Sequence, residues 1–267
     1  MDSAARAKQA IGLLDLTDLT DACTDEAIVE LCQKAKTPHG SVAAICIWPQ
    51  FVPQARELLA GAAIKIATVT NFPAGDPDFA KAVSETADAI AKGADEVDVV
   101  MPYQRFLQGD EQTARTLISE CRAEIPKEKT LKVILETGLY RDADAMDRAS
   151  RLAIEAGAHF IKTSTGKAAV AATEEAATVM LKAIAETDKK VGFKAAGGIR
   201  TTEDASRYLA IAENILGADW ITPATFRFGA SGLLSALLAT IEGERWRAVK
   251  AVSLRWLNPI AIHASKI

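Results

Sequence analysis

The sequence predicts an α/β fold, a closed (β/α)8 TIM barrel. Eight short apolar runs alternate with helical stretches, and most are apolar at nearly every position, as in parallel strands buried on both faces. A Gly-Ala connection recurs just before three of the runs. The length of 267 residues suits one such barrel.

In chain order the runs are Leu13–Thr17, Val42–Ile47, Ile64–Thr70, Glu96–Met101, Leu131–Glu136, Phe160–Thr163, Val191–Ala195 and Ala218–Ile221. Between them, Phe79, Val83, Thr86 and Ile90 fall at spacings of three and four, one stripe on one helix face. Leu117, Cys121 and Ile125 repeat that logic. Gly93-Ala94, Gly157-Ala158 and Gly217-Ala218 mark a reused connection, because a left-handed glycine ends a helix and frees the chain to turn into a strand. Chance recurrence of a common pair is the alternative.

No linker rich in Pro, Gly or Ser divides the chain, so residues 1–242 read as one barrel domain. Residues 243–267 read as an atypical basic tail, with Arg245, Arg247, Lys250, Arg255 and Lys266 against Glu244. A surface helix or a disordered end is expected there rather than a partner-binding segment.

Composition narrows the function. The 31 basic and 35 acidic residues give a net charge of −4, and no basic block crosses the body of the chain, so nucleic acid is not expected as a partner. No apolar run has the length of a membrane span. The polar segment Met1–Gln9 does not read as a signal peptide, and Cys23, Cys32, Cys46 and Cys121 form no C-x-x-C pair. A cytoplasmic protein with reduced thiols is expected. His39, His159 and His263 lack metal-ligand spacing, which weighs against a zinc enzyme; no metal and no cofactor are expected.

In such a barrel the chemistry sits at the C-terminal ends of the strands. Asp15, Asp98, Glu136, Lys162 and Lys194 fall there. Lys162 and Lys194 lie on the sixth and seventh runs, so their ammonium groups face one cavity and depress each other. Moving an amine from about 10.4 to near 7 takes roughly 4.5 kcal/mol. A like charge about 6 Å away at an effective dielectric of about 20 supplies near 3 kcal/mol, leaving desolvation to supply the rest. Such a pair suits a Schiff-base nucleophile. The alternative is structural pairing of each lysine with a carboxylate such as Glu136. Glu96 and Asp98 share a strand face, with Asp98 the deeper. Asp98 then serves either proton transfer through water or ion pairing.

Gly197-Gly198 precedes a helix whose start has capping-box spacing at Thr201 and Asp204, and Gly229-Ala230-Ser231-Gly232 precedes an apolar helix. Glycines before helix N-termini let the backbone approach an anion, and barrel phosphate sites often follow strands seven and eight. His159 is expected to satisfy a turn.

Taken together, LLDLT, AKTP, AAICI, ATVTNFP, GADEVDVV, LETG, FIKTSTGK, GFKAAGG and RFGAS, in this order between Leu13 and Leu238, resemble deoxyribose-phosphate aldolase, the bacterial enzymes in particular. The resemblance implies reversible cleavage of 2-deoxy-D-ribose 5-phosphate to acetaldehyde and D-glyceraldehyde 3-phosphate in deoxyribonucleoside catabolism. It implies Lys162 as the Schiff-base lysine, Lys194 as its perturber and Asp98 as the proton-transfer group. Asp15, Thr17, Cys46 and Thr165 match cavity-lining positions, and Gly166, Lys167, Gly197, Gly198, Gly229 and Ser231 match phosphate-binding loops. A homodimer is the expected assembly, with a small phosphorylated sugar and acetaldehyde as its ligands.

The chain departs from close relatives at three places. Ala195 replaces a proline, Gly232 replaces a second serine, and the chain ends in Ile267 rather than in the tyrosine with which many relatives aid a proton step. A tail-assisted proton step is therefore not expected.

Overall fold

A computed structural model describes residues 2–256, with side chains in the last helix given as far as residue 244. Eight strands pair in parallel, each with the next: β1 (Leu14–Asp18), β2 (Ala44–Ile47), β3 (Lys65–Thr70), β4 (Glu96–Val100), β5 (Thr130–Ile134), β6 (Phe160–Lys162), β7 (Gly192–Ala196) and β8 (Phe226–Ala230). β8 returns to β1 with Asp15 opposite Gly229, which closes the barrel. The predicted fold is therefore present, with seven of the eight strands where the sequence places them to within two residues at either end.

The eighth strand is a correction. Ala218–Ile221 is not a strand: Gly217 ends the preceding helix and Ala218–Trp220 form a 3-10 turn. A second turn, in which the Thr222 amide donates to the Thr225 hydroxyl, then delivers the chain to Phe226. Along β8, Phe226 and Phe228 face outward into the core under the helices, while Arg227 and Gly229 face the barrel axis. The Gly217-Ala218 connection draws the sequence reading to Ala218–Ile221, whereas two successive turns separate it from the strand.

The helices are α1 (Ser3–Gly12), α2 (Asp25–Lys34), α3 (Val52–Leu58), α4 (Phe79–Ala91), α5 (Tyr103–Leu107), α6 (Glu111–Ala123), α7 (Ala143–Glu155), α8 (Glu174–Ala185), α9 (Thr202–Leu216) and α10 (Leu233–Trp256). Local chemistry sets their starts. Thr24, Asp78, Asp110, Asp142 and Thr173 each accept a hydrogen bond from the amide three residues on. The box expected at Thr201 and Asp204 is formed in both directions, at 3.0 and 2.9 Å. Each such cap contributes about 1 kcal/mol. Gly93, Gly157 and Gly217 all have positive φ; the first two lead directly into strands, the third into the 3-10 turn.

Small residues let the helices lie close on the barrel. In α4 the buried stripe is Ala82, Thr86 and Ala89, flanked by Phe79, Val83 and Ile90, so the face is turned slightly from the large residues that suggested it. In α6 Leu117 and Cys121 are buried as expected, and Ile125 is buried just beyond the helix end. α10 runs through Gly243 without a break. The basic side chains of the tail and the terminal segment 257–267 lie outside the described side chains and residues.

The main core lies between barrel and helices. Inside the barrel, Leu19, Cys46, Ala67 and Val69 form a small separate apolar cluster on the β2–β3 side. The remaining interior is occupied by charge, and that positions the site.

Candidate active site

Strand alternation sends Asp15 from β1, Glu96 and Asp98 from β4, Lys132 from β5, Lys162 from β6, Lys194 from β7 and Arg227 from β8 into one buried cluster. None of these residues is more than 5% exposed. Buried charges of this number persist only when paired and hydrogen-bonded.

The pairing is dense. Lys162 Nζ donates to Asp98 Oδ2 at 2.8 Å, and Lys194 Nζ donates to the same oxygen at 2.8 Å. Lys194 also donates to Asp15 Oδ2 at 2.5 Å. Lys132 Nζ donates to Asp98 Oδ1 at 2.8 Å and lies 2.5 Å from Glu96 Oε2 and 3.6 Å from Asp15 Oδ2. Arg227 bridges Asp15 and Glu96. The lysines therefore pair with Asp98 and Asp15, and not with Glu136.

Electrostatics separate the three lysines. Burial pulls Lys162 below its usual value; Asp98 opposes this only in part, and the Lys194 cation pushes the same way as burial. Burial also acts on Lys194, but Asp15 and Asp98 together outweigh it and raise the group. Lys132 is raised by Asp98 and Glu96 against the same desolvation. Asp98 is held well below the ordinary carboxylate range, because Lys132, Lys162 and Lys194 overcome its desolvation. Asp15 is likewise lowered by Lys194, Arg227 and Lys132 against its burial. The expected depression of Lys162 is present, with burial contributing more than the neighbouring ammonium. The matching depression expected of Lys194 is absent, because Asp15 and Asp98 hold its charge.

Strand direction also corrects the relation of Glu96 to Asp98. Glu96 is the first residue of β4, so it lies farther from the mouth at the strands' C-terminal ends, and Asp98 is the shallower of the two. Thr17 is half-buried with its hydroxyl donating to the Asp15 carbonyl at 2.8 Å, and Cys46 is fully buried on the neighbouring strand. Burial pushes the Cys46 thiol up, so it is a neutral wall rather than a thiolate.

The glycine loops converge. The Gly197 amide donates to the Gly229 carbonyl at 3.4 Å, and a side chain on Gly197 would approach the Gly166 Cα to 3.3 Å. Gly166, Gly197 and Gly198 have φ of +81°, +86° and +83°, open to glycine and strained for other residues. Gly229 serves packing: a Cβ there would lie 3.0 Å from Lys194 Cε and from Ala196 Cβ. Ser231 is exposed at the same end of the barrel. Lys167 reaches instead toward the loop after β1, donating to the Leu19 carbonyl at 2.8 Å with its ammonium 6.0 Å from the Trp48 ring.

Glu136 has a different task from the one its position suggested. It sits in the left-handed region at φ 59°, and its carboxylate accepts from the Thr165 amide at 3.3 Å and from the Thr165 hydroxyl at 2.5 Å. It thereby clamps the loop that follows Lys162, and the Thr165 hydroxyl is engaged there. His159 Nδ1 accepts the Leu131 amide at 3.0 Å, so the imidazole satisfies the start of β5 rather than the turn in which it was expected to act.

Lys132 and Arg227 were not singled out in the sequence. The signal for Lys132 was available, as a lone lysine inside an otherwise apolar strand. Among the described residues no group of three or more His, Cys, Asp or Glu side chains could hold a metal ion, and no helix is long and apolar enough to cross a membrane.

Solved structures share this architecture. A protein from Coccidioides immitis, provisionally assigned as a deoxyribose-phosphate aldolase, is 29% identical with a TM-score of 0.77, over 88% of this chain and 86% of that one. A protein from Toxoplasma gondii ME49 with the same provisional assignment is 27% identical with a TM-score of 0.83, over 90% and 97%. The deoxyribose phosphate aldolase of Aeropyrum pernix, described as a tetramer, is 21% identical with a TM-score of 0.71 over 89% and 96%, a likeness of fold. A sequence profile described as DeoC/LacD family aldolase matches residues 9–239, and the chain belongs to that family.

Proposed function

We propose that this aldolase works through a Schiff base on Lys162 and reversibly cleaves 2-deoxy-D-ribose 5-phosphate to acetaldehyde and D-glyceraldehyde 3-phosphate. One observation carries the reading: of three lysines buried in one charge cluster, Lys162 alone is pushed toward its neutral, nucleophilic form.

In this scheme neutral Lys162 adds to the C1 aldehyde and the carbinolamine loses water to an iminium. Asp98, through a water, takes the C3 hydroxyl proton as the C3–C4 bond breaks. The electron pair passes to the iminium and gives an enamine. Protonation and hydrolysis then return Lys162 and release acetaldehyde. With Lys162 neutral or in the carbinolamine, one of the three cations around Asp98 is gone, and the carboxylate is more basic while the carbinolamine forms and loses water. The iminium restores that charge, so at cleavage Asp98 acts as an ionised carboxylate that orients the water receiving the C3 hydroxyl proton. Lys194 and Lys132 remain charged and keep the cavity hostile to a third ammonium.

The touching loops at Gly166, Gly197 and Gly229, followed by the N-terminal ends of α9 and α10, are the proposed phosphate site, with Lys167 and Ser231 at its edge. Asp15, Thr17, Cys46 and Thr165 are proposed to line the sugar cavity, Thr165 through its neighbours while its hydroxyl stays with Glu136. A cytoplasmic homodimer acting in deoxyribonucleoside catabolism completes the reading, supported by the resemblance of its motifs; light scattering should return the mass of two chains.

The test is borohydride reduction with acetaldehyde present, followed by intact mass and peptide mapping. A two-carbon adduct on the Lys162 peptide is expected, together with turnover of 2-deoxy-D-ribose 5-phosphate. Active protein without an adduct would overturn the lysine mechanism, and an adduct on Lys194 would reverse the two roles.

A further inference from the structure

An ion pair on the floor of the barrel takes no part in the scheme above. Arg227 Nη2 donates to Glu96 Oε1 at 2.8 Å, and Nη1 donates to Glu96 Oε2 at 3.2 Å and to Asp15 Oδ1 at 2.6 Å. Its Nε is held by the Pro223 carbonyl, and its guanidinium lies 5.7 Å from the Phe160 ring. Both residues are 5% exposed or less. Glu96 precedes Asp98 by two residues on the same face of β4, and Arg227 stands in register with Lys194 on β7.

The groups facing this interior can be counted strand by strand. β1 gives Asp15, β2 the Cys46 thiol, β4 Glu96 and Asp98, β5 Lys132, β6 Lys162, β7 Lys194 and β8 Arg227. The buried inward residues of β3, Ala67 and Val69, carry none, Lys65 on the same face is exposed to solvent, and Glu136 beyond β5 is turned to Thr165. Three carboxylates therefore face four cations when every group is ionised. Arg227 does not release its proton. Lys132 approaches all three carboxylates within 3.6 Å, and Lys194 binds two. Lys162 binds one oxygen of one carboxylate, and shares it. The excess cation is the one with the fewest carboxylate contacts. Its neutralisation leaves three charges against three in a space where uncompensated charge is costly.

We propose that Arg227 is a positioning residue for the reaction: by permanently engaging Glu96 and one oxygen of Asp15, it leaves too little negative charge for three lysines and so fixes Lys162 as the one that gives up its proton. The inference rests on the reading of Lys162 as the Schiff-base lysine. With Arg227 absent, three carboxylates would match three ammonium groups, and Lys162 would keep its proton at neutral pH. Glu96 is the opposite lever. Its loss leaves two carboxylates for the cations and drives Lys162 further toward the amine.

The test is the pH midpoint of borohydride trapping with acetaldehyde, measured on the full chain for five proteins: wild type, Arg227→Met, Arg227→Lys, Glu96→Gln, and the double variant Arg227→Met with Glu96→Gln. One charge about 8 Å away at an effective dielectric of about 20 moves a pKa by roughly 1.5 units. The midpoint should rise by about that amount in Arg227→Met and fall in Glu96→Gln. It should stay within about half a unit of wild type in Arg227→Lys and return toward wild type in the double variant. A merely structural role would lower trapping in every variant without moving midpoints in opposite directions. An unchanged midpoint in folded Arg227→Met, or a shift of the same sign in both single variants, would overturn the proposal. If Arg227→Met does not fold, the downward shift in Glu96→Gln decides, and its absence overturns the proposal. Wild-type protein that traps nothing at any pH would remove the Schiff-base reading itself, and this inference with it.

Discussion

Lys162 and Lys194 meet on a single carboxylate oxygen, Oδ2 of Asp98, each at 2.8 Å. Two ammonium groups on one oxygen are stable only because Lys194 has a second carboxylate, Asp15, at 2.5 Å. Lys162 has no second carboxylate among the described contacts. The difference in roles between two chemically identical side chains thus follows from how many carboxylates each one reaches.

Replacing Lys194 with methionine should keep Lys162 covalently competent but shift its pH limb. Both the repulsion and the competition for Asp98 disappear, so Lys162 holds its proton to higher pH. The trapping rate near pH 7.5 should fall about 100-fold, corresponding to an upward shift of about two units. Raising the pH should restore much of it. Lys162→Met should give no adduct at any pH. A Lys194→Met rate that stays low at every pH would mean that Lys194 acts on the substrate itself.

Glu136 should matter for binding more than for chemistry. Its carboxylate clamps Thr165, three residues beyond Lys162, and a lost buried hydrogen bond of this kind costs roughly 1–3 kcal/mol. Glu136→Ala should raise KM for the phosphorylated sugar while leaving acetaldehyde trapping nearly unchanged, because the Gly166 loop loosens and Lys162 stays on β6. Glu136→Gln retains an acceptor and should lie near wild type. Steady-state kinetics beside trapping rates on the two variants separate these effects.

The barrel was legible because seven of its strands lie in short runs that are apolar at most positions, even where one or two charged residues interrupt them. Lys162, Lys194 and Asp98 were legible because they stand in distinctive segments at strand ends. β8 was not, since the Gly217-Ala218 pair, which matches the connections leading directly into β4 and β6, points to a strand at Ala218–Ile221, whereas here it leads into a 3-10 turn and a second turn before Phe226. Arg227 and Lys132 become sensible only once their partners are known. Asp15 is 212 residues away from Arg227 in the chain, and Asp98 is 34 away from Lys132. A charge neutralised by tertiary closure leaves no local periodicity to read. Glu136 misled for a related reason: its left-handed backbone turns the carboxylate toward the Thr165 loop rather than toward the lysines.

Acid should destabilise the protein through Asp15 and Asp98. Both have folded values below the ordinary 3.8, since lysine and arginine contacts outweigh their desolvation. A depressed carboxylate contributes stability that is complete above its unfolded value and is lost as pH falls toward its folded value. Urea midpoints should therefore change little through these groups from pH 7 to pH 5 and fall steeply below about pH 4. Asp98→Asn should be less stable at pH 7 and show a shallower decline below pH 4. A decline equal to wild type would assign the acid sensitivity to other carboxylates.

Gly229 links the phosphate loop to the lysine pair. Its backbone is not in the left-handed region, so alanine is resisted there by contact alone, with a Cβ 3.0 Å from both Lys194 Cε and Ala196 Cβ. Overpacking of this kind costs about 1–3 kcal/mol, and the movable atom is the lysine. Gly229→Ala should therefore pull Lys194 off the shared Asp98 oxygen, lowering kcat and moving the trapping midpoint upward as Lys194→Met does, though less. Gly198→Ala makes the useful contrast. No atom lies within 4 Å of its Cβ, but φ is +83°, so its cost is backbone strain of about 1 kcal/mol and a distorted loop. That variant should raise KM for the phosphorylated substrate and leave the trapping midpoint unchanged. Midpoints that move equally in the two variants would mean that loop distortion alone reaches the lysines, and that the contact between Gly229 and Lys194 has no separate effect.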